Sequence, residues 1–269
     1  MTARYDTITL LSDFGLGDES VGVVHSVIGE LAPGARVIDL SHGIPPFDVR
    51  AGALALVRAL PYLVPGVLLA SVDPGGGPRD RSIAVEVGDG AGVFLGPDNG
   101  LLAPAVALVG GAGRAVEITT SEYRLESPGS TFLARDVLAP AAAHLTLGTD
   151  LSELGPAVDP AGLVPALVPI PRVEEEGVVA EVLWVDHFGN AQLNVDVDAI
   201  AHLGDPVVAR FGDSSRTLSV VTAYDGLPEG RVGLVVDAHG MLSVSAARRS
   251  AAGELGLSVG DEVTLSEAE

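Results

Sequence analysis

The sequence predicts an N-terminal α/β domain with a mostly parallel central sheet, followed by a small C-terminal β-barrel domain. Three observations predict it. In the first half, short apolar runs alternate with stretches of helical spacing, as in strand–helix–strand units. Between residues 156 and 172 five prolines occur, at 156, 160, 165, 169 and 171, which reads as a linker over residues 156–177. Beyond it, short β-rich runs separated by turn residues suggest a small barrel or sandwich of roughly 90 residues. The predicted division is 1–172 and 173–269.

The elements follow in order. Ile8 to Leu11 is an apolar run ending in Ser12-Asp13-Phe14-Gly15. Val21, Val24, Val27, Ile28 and Leu31 then share one helical face, and Pro33-Gly34 stops that helix. Val37 to Leu40 reads as a strand. Pro45-Pro46 precedes a helix over about 48–60. Gly66 to Val72 is a third strand, closing on Asp73-Pro74-Gly75-Gly76-Gly77. Ser82 to Val87 and Val93 to Leu95 read as a hairpin around Gly88-Asp89-Gly90. Leu101 to Leu108 and Leu138 to Leu145 read as helices. In the second half the strands are 178–185, 191–195, 217–221, 233–236, 242–244 and 262–265, with one short helix over 248–255.

Composition excludes several chemistries. All 15 basic side chains are arginine; lysine and cysteine are both absent. Without lysine there is no Schiff base and no P-loop lysine on a phosphate. Without cysteine there is no thiolate nucleophile, thiolate metal site or disulfide. The net charge of -21 argues against nucleic acid, whose binding rests on cations that neutralise phosphates, and against anionic membrane surfaces. No run reaches the ~18 uninterrupted apolar residues of a membrane span. Residues 1–6 carry neither a basic region nor a long apolar core, so the default compartment is the cytoplasm.

Asp13 and Asp73 each follow an apolar run and precede glycine or proline. Ligands of open α/β sheets bind beyond the carboxyl ends of strands, and an Asp there can equally cap a helix or set a turn. Gly15 and Gly17 suggest a dinucleotide loop, but the next glycine is Gly22 and the fingerprint fails. Gly75 to Gly77 suits a tight turn or a close backbone approach to a ligand. The six histidines form no HxH or HExxH pair, and His42, near Asp39 and Asp48, is the best local cluster; no metal site is expected. A nucleophile elbow is also missing.

Several segments, in order, carry a resemblance: Ile8-Thr9-Leu10-Leu11-Ser12-Asp13-Phe14-Gly15, Asp39-Leu40-Ser41-His42 with 45–52, Val72-Asp73-Pro74-Gly75, 96–102 (Gly-Pro-Asp-Asn-Gly-Leu-Leu), Thr131-Phe132 with Arg135-Asp136, and 185–190 (Val-Asp-His-Phe-Gly-Asn). Together they resemble the S-adenosyl-L-methionine (SAM) hydroxide adenosyltransferases, or SAM hydrolases, a family similar in fold to the SAM-dependent fluorinase and chlorinase. The resemblance spans about 8–263.

It implies a homotrimer with SAM bound between subunits, SAM as substrate and no further cofactor. Asp13 would hold the ribose hydroxyls, since a carboxylate accepts from both. Phe47 would stand where the fluorinase has a tryptophan. Asp186 would accept from the methionine ammonium, Phe188 and Asn190 would meet the adenine, and Tyr224 would be the adenine-side aromatic, displaced by one. Asp73 would orient the attacking water. The family's water-activating arginine falls at Asp80 here, flanked by Arg79 and Arg81 as candidate support, and its histidine falls at Leu133. Where the fluorinase has Ser-Arg at the methionine carboxylate, this chain has Ala238-His239. Hydrolysis of SAM to adenosine and L-methionine is the implied activity. Two alternatives stay open: a catalytically weakened protein that binds SAM or another adenosyl compound, and a halogenase.

Overall fold

A computed structural model describes residues 5–75, 80–166, 168–227 and 230–268. The chain divides into two compact units, Met1–Val168 and Pro169–Glu269.

The first unit builds β1 (Thr7–Ser12), α1 (Ser20–Leu31), β2 (Arg36–Ser41), α2 (Val49–Ala59), β3 (Val67–Ser71), β4 (Ser82–Val87), β5 (Gly92–Pro97), α3 (Ala103–Leu108), β6 (Ala112–Glu117), α4 (Ala139–Thr146) and β7 (Ala157–Val158). The seven strands form one sheet in the order β2-β1-β3-β5-β4-β6-β7. Period-2 alternation sorts the strand residues to its two faces. Ile8, Leu10, Val67 and Leu69 pack with Val24 and Ile28 of α1 and with Leu145 of α4. Leu11, Leu68 and Ala70 pack with Leu56 of α2 and Ala105 of α3. The unit is thus a sheet covered by helices on both faces. Helix α2 starts where the Asp48 side chain accepts from Ala51 N–H at 2.8 Å, satisfying a donor the helix leaves free.

The mostly parallel expectation holds for half of this sheet. Pairs β1–β2, β1–β3 and β3–β5 are parallel, whereas β4–β5, β4–β6 and β6–β7 are antiparallel. The reason is local. The hairpin at 88–90, read correctly from the sequence, reverses the chain directly, so no helix crosses over between β4 and β5. The proline-rich stretch read as a linker begins inside the unit, because β7 pairs with β6.

The second unit contains β8 (Arg172–Glu174), β9 (Gly177–Val185), β10 (Ala191–Asp196), α5 (Val197–Ile200), β11 (Val207–Phe211), β12 (Ser214–Leu218), β13 (Val220–Val221), β14 (Val232–Val236), β15 (Met241–Ala246), α6 (Ala251–Leu255) and β16 (Glu262–Glu267). They form one nine-stranded sheet in the order β12-β11-β16-β9-β10-β15-β14-β13, with β8 added beside β9. The sheet curls into a nearly closed, barrel-like form, with β12 lying against β14. Alternate residues Val178, Ala180, Val182, Leu193 and Val263 face its core. The run read as one strand over 217–221 divides between β12 and β13, and the expected helix over 248–255 starts only at Ala251. No helix among the described residues is long and apolar enough to cross a membrane.

Candidate active site

Strands β1 and β3 are parallel neighbours, with Ser12 beside Ser71. Their carboxyl ends therefore deliver Asp13 and Asp73 to one place. Asp13 Oδ2 accepts from Phe47 N–H at 3.0 Å and from Asp73 N–H at 3.3 Å. One carboxylate thus gathers three chain segments: the end of β1, the loop before α2 and the end of β3. Phe47 and Asp73 both have positive φ, 66° and 42°. A non-glycine residue held there costs of order 1 kcal/mol and persists only where its surroundings over-determine it. Among the described residues, two of the four non-glycine positions with positive φ lie on this one carboxylate. The Phe47 ring is 75% exposed, an apolar surface left open to solvent beside the pair.

Asn99 locks the end of β3. Its Nδ2 donates to Val72 O at 3.0 Å and to Asp73 O at 2.9 Å, while its Oδ1 accepts from Leu101 N–H at 3.1 Å. The Asp98-Asn99-Gly100 motif is therefore the entrance to α3 and the brace of Asp73 at once. The aromatic segment 131–133 also comes to this end, since the Phe132 ring lies 5.6 Å from that of Phe14, edge to face. Leu133 is partly buried against the same core. A π-helical turn over Ala134–Leu138 follows; such turns concentrate at functional sites.

Arg81 has an ion-pair partner beside Asn99. It pairs with Asp98, whose side chain is 2% exposed and also accepts from Val164 N–H at 2.8 Å. Arg79 lies outside the described residues. Asp80 carries its carboxylate over Gly75: a Cβ on that glycine would sit 2.2 Å from Asp80 Oδ2. The segment after Asp73 thus needs glycine for space as well as for its φ of 70°.

The remaining sequence-predicted residues, Asp186, Phe188, Asn190 and Tyr224, meet on the second unit around an open pocket of about 510 Å³. Asp186 Oδ1 accepts from Phe188 N–H at 2.9 Å and Asn190 N–H at 2.8 Å, and Oδ2 accepts from Asn190 Nδ2 at 2.7 Å. The same Nδ2 reaches the Tyr224 hydroxyl at 3.4 Å. Burial raises the Tyr224 phenol, and the negative charges of Asp186 and Asp237 add to that, so it stays a neutral donor and acceptor. Gly189, at φ 83°, lets the loop close on Ser250. Phe188 is 75% exposed. Arg248 completes the pocket wall.

Sequence reasoning missed the brace by Asn99 and the pairing of Arg81 with Asp98. The quoted motif contained both Asp98 and Asn99, and an Asn next to a strand end was the one local signal. Among the described residues no group of three or more His, Asp or Glu side chains converges as a metal site.

The fold is that of a two-domain protein, an α/β unit and a barrel-like β unit, each carrying a hydrogen-bond-accepting carboxylate beside an exposed aromatic ring, with an open pocket on the second. The sequence model of the SAM hydroxide adenosyltransferase N-terminal domain matches residues 8–155, and that of the C-terminal domain matches residues 180–264. The chain belongs to the SAM hydroxide adenosyltransferase family. It is 42% identical over 258 residues to a protein of Salinispora tropica named (R)-S-adenosyl-L-methionine hydrolase, covering 96% of this chain and 97% of that one. A fluorinase of an Actinoplanes species is 29% identical over 212 residues, covering 70% of this chain and 71% of that one. The crystal structure of an uncharacterized conserved protein from Thermotoga maritima superimposes with a TM-score of 0.87 at 31% identity, covering 96% of this chain and 99% of that one.

Proposed function

We propose that this protein hydrolyses SAM: water attacks the ribose C5′, L-methionine leaves, and adenosine is released. The observation that carries the reading is the 42% identity, over nearly the full length of both chains, to the Salinispora protein named as that hydrolase. The Asp13–Asp73 arrangement at the strand ends fits the chemistry. A C5′–O bond forms as the C5′–S bond breaks, and the electron pair stays on sulfur. Methionine departs as a neutral thioether, so no general acid is needed. The water must be oriented in line and lose a proton.

In this reading Asp73 orients the water and takes the proton. Asp13 accepts from the ribose hydroxyls with the lone pairs its two backbone donors leave free, and Phe47 lines that side. Asp186, Phe188, Asn190 and Tyr224 hold the adenine and the methionine ammonium. Arg81 neutralises Asp98 and braces the loop. An aspartate at position 73 repels a halide, which favours water over chloride or fluoride as nucleophile. The protein acts as a cytoplasmic homotrimer with SAM between subunits, a state that the mass in solution tests.

Incubation of the purified protein with SAM should yield adenosine and L-methionine, and Asp73→Asn should lower the rate roughly 10²- to 10⁴-fold, the usual share of a positioned proton acceptor. No loss of SAM above the buffer control would sink the reading. Leu133 favours a second one, adenosyl binding with little turnover, because an apolar side chain neither orients nor deprotonates water. Calorimetric titration with SAM and adenosine decides between them: heat without product selects binding alone.

A further inference from the structure

Asp13 is gripped from both sides by a single residue, His42. The Ser12 hydroxyl lies 2.7 Å from His42 Nδ1, and Gly15 N–H donates to the His42 carbonyl at 2.8 Å. Chemistry fixes the direction of the first bond. His42 Nε2 lies 3.0 Å from Asp39 Oδ1, although off the line of a good hydrogen bond. Partial burial raises the Asp39 carboxyl, but the hydrogen bond with His25 and the close approach of His42 together outweigh it and leave it lowered, so Asp39 stays ionised and accepts only. Nε2 therefore keeps the ring proton, and Nδ1 accepts from the Ser12 hydroxyl. The Ser12 oxygen in turn accepts from Phe14 N–H at 3.4 Å.

The order Ser–His–Asp resembles a nucleophilic triad, but burial argues otherwise. Ser12 is fully buried and His42 is 6% exposed, so no ligand reaches either. Their bonds go to residues 12, 14 and 15, on both flanks of Asp13, whose Oδ2 holds the backbone of Phe47 and Asp73.

We propose that His42 is a positioning residue for Asp13, acting through its δ nitrogen on Ser12 and its carbonyl on Gly15. The meaning given to Asp13 rests on the hydrolase reading above; the positioning itself is a statement about geometry. Two variants separate the ring's two nitrogens and leave the carbonyl in place. His42→Asn keeps an acceptor at the δ position for Ser12 and removes Nε2. His42→Gln moves its polar atoms one bond outward, toward Asp39 and away from Ser12.

His42→Gln should raise the KM for SAM roughly tenfold or more, a displacement effect, while His42→Asn largely rescues it. Ser12→Ala should raise KM at least as much as the glutamine variant, and the double mutant should fall short of the sum of the two, since both remove the Ser12–His42 bond while only the alanine also loses the long contact from Phe14 N–H. Amide-exchange protection at Phe47 and Asp73 should fall in the glutamine variant and persist in the asparagine variant. A role in stability alone would lower the melting temperature of both variants without separating them. Equal KM and equal protection in the two variants, or additivity with Ser12→Ala, would overturn the proposal. If the wild-type protein neither consumes SAM nor binds adenosine, the hydrolase reading falls, and amide protection alone decides for or against His42.

Discussion

Replacing Asn99 by alanine removes the brace of Asp73, and the structure sets the size of the loss. Three hydrogen bonds go, of 3.0, 2.9 and 3.1 Å, made to Val72 O, Asp73 O and Leu101 N–H. The bond to Asp73 O is solvent-exposed, so water replaces it at little cost; the other two are partly buried. At 0.5–1.5 kcal/mol net for each buried bond, the loss is about 2 kcal/mol. For a chain of this size that lowers the melting temperature by about 4–8 °C. Activity should fall further than stability implies, because Asp73 sits at φ 42° and relaxes once its carbonyl is released. Asn99→Asp is the sharper test. It keeps an acceptor for Leu101 but turns a carboxylate on two carbonyl oxygens, so it should cost more than alanine at neutral pH. Protonation restores one donor, so the folded protein binds that proton more tightly than the unfolded chain. The deficit of the aspartate variant should therefore shrink as pH falls toward about 4. Urea unfolding at several pH values and adenosine release from SAM measure both effects. An alanine variant with wild-type stability and wild-type turnover would refute the bracing argument.

Two further perturbations test other parts of the structure. Gly189→Ala should destabilise the protein by roughly 2–4 kcal/mol and weaken adenosine binding at least tenfold, because the residue has φ 83° and its Cβ would lie 2.0 Å from Ser250 Oγ; calorimetry and a urea melt check it. Arg114 bridges Glu86 at 2.8 Å and Asp150 at 3.0 Å, and its hydrogen bond, with those from Ser152, holds the Asp150 carboxyl well below its usual range. Asp150 is depressed in the folded state, so its contribution is complete above about pH 4 and disappears as pH falls through the folded value. Arg114→Ala should thus cost about 1 kcal/mol at neutral pH, small because Arg114 and Asp150 are nearly half exposed although Glu86 is more buried, and the gap from wild type should narrow in acid.

Legibility in the sequence followed the range of the signal. Helix α1 showed its apolar spacing and its Pro33-Gly34 stop, and α2 showed Asp48 and the two prolines before it. The hairpin at 88–90 was written in its turn residues. Strand β6, Ala112–Glu117, was missed because glycine and arginine interrupt its apolar pattern, and β11, Val207–Phe211, because its alternation is only five residues long. Within the site, Asp13, Asp73 and the 186–190 loop stood out as motifs, each with a glycine within three residues of its aspartate. What Asp98, Asn99, Ser12 and His42 do was not legible, since each acts on a residue far along the chain.

The sequence by itself determined the strand–helix alternation, the hairpin, the candidate carboxylates at strand ends and the exclusion of lysine and cysteine chemistry. All of these depend on residues a few positions apart or on composition. Only the tertiary structure decided that half of the first sheet is antiparallel, that Arg81 belongs to Asp98, that Asn99 holds Asp73 and that His42 flanks Asp13. The physical reason is distance along the chain: the bonds Asp73–Asp13, Asn99–Asp73 and Ser12–His42 join residues 60, 26 and 30 positions apart. Their partners are chosen by strand order and register, which no local pattern contains.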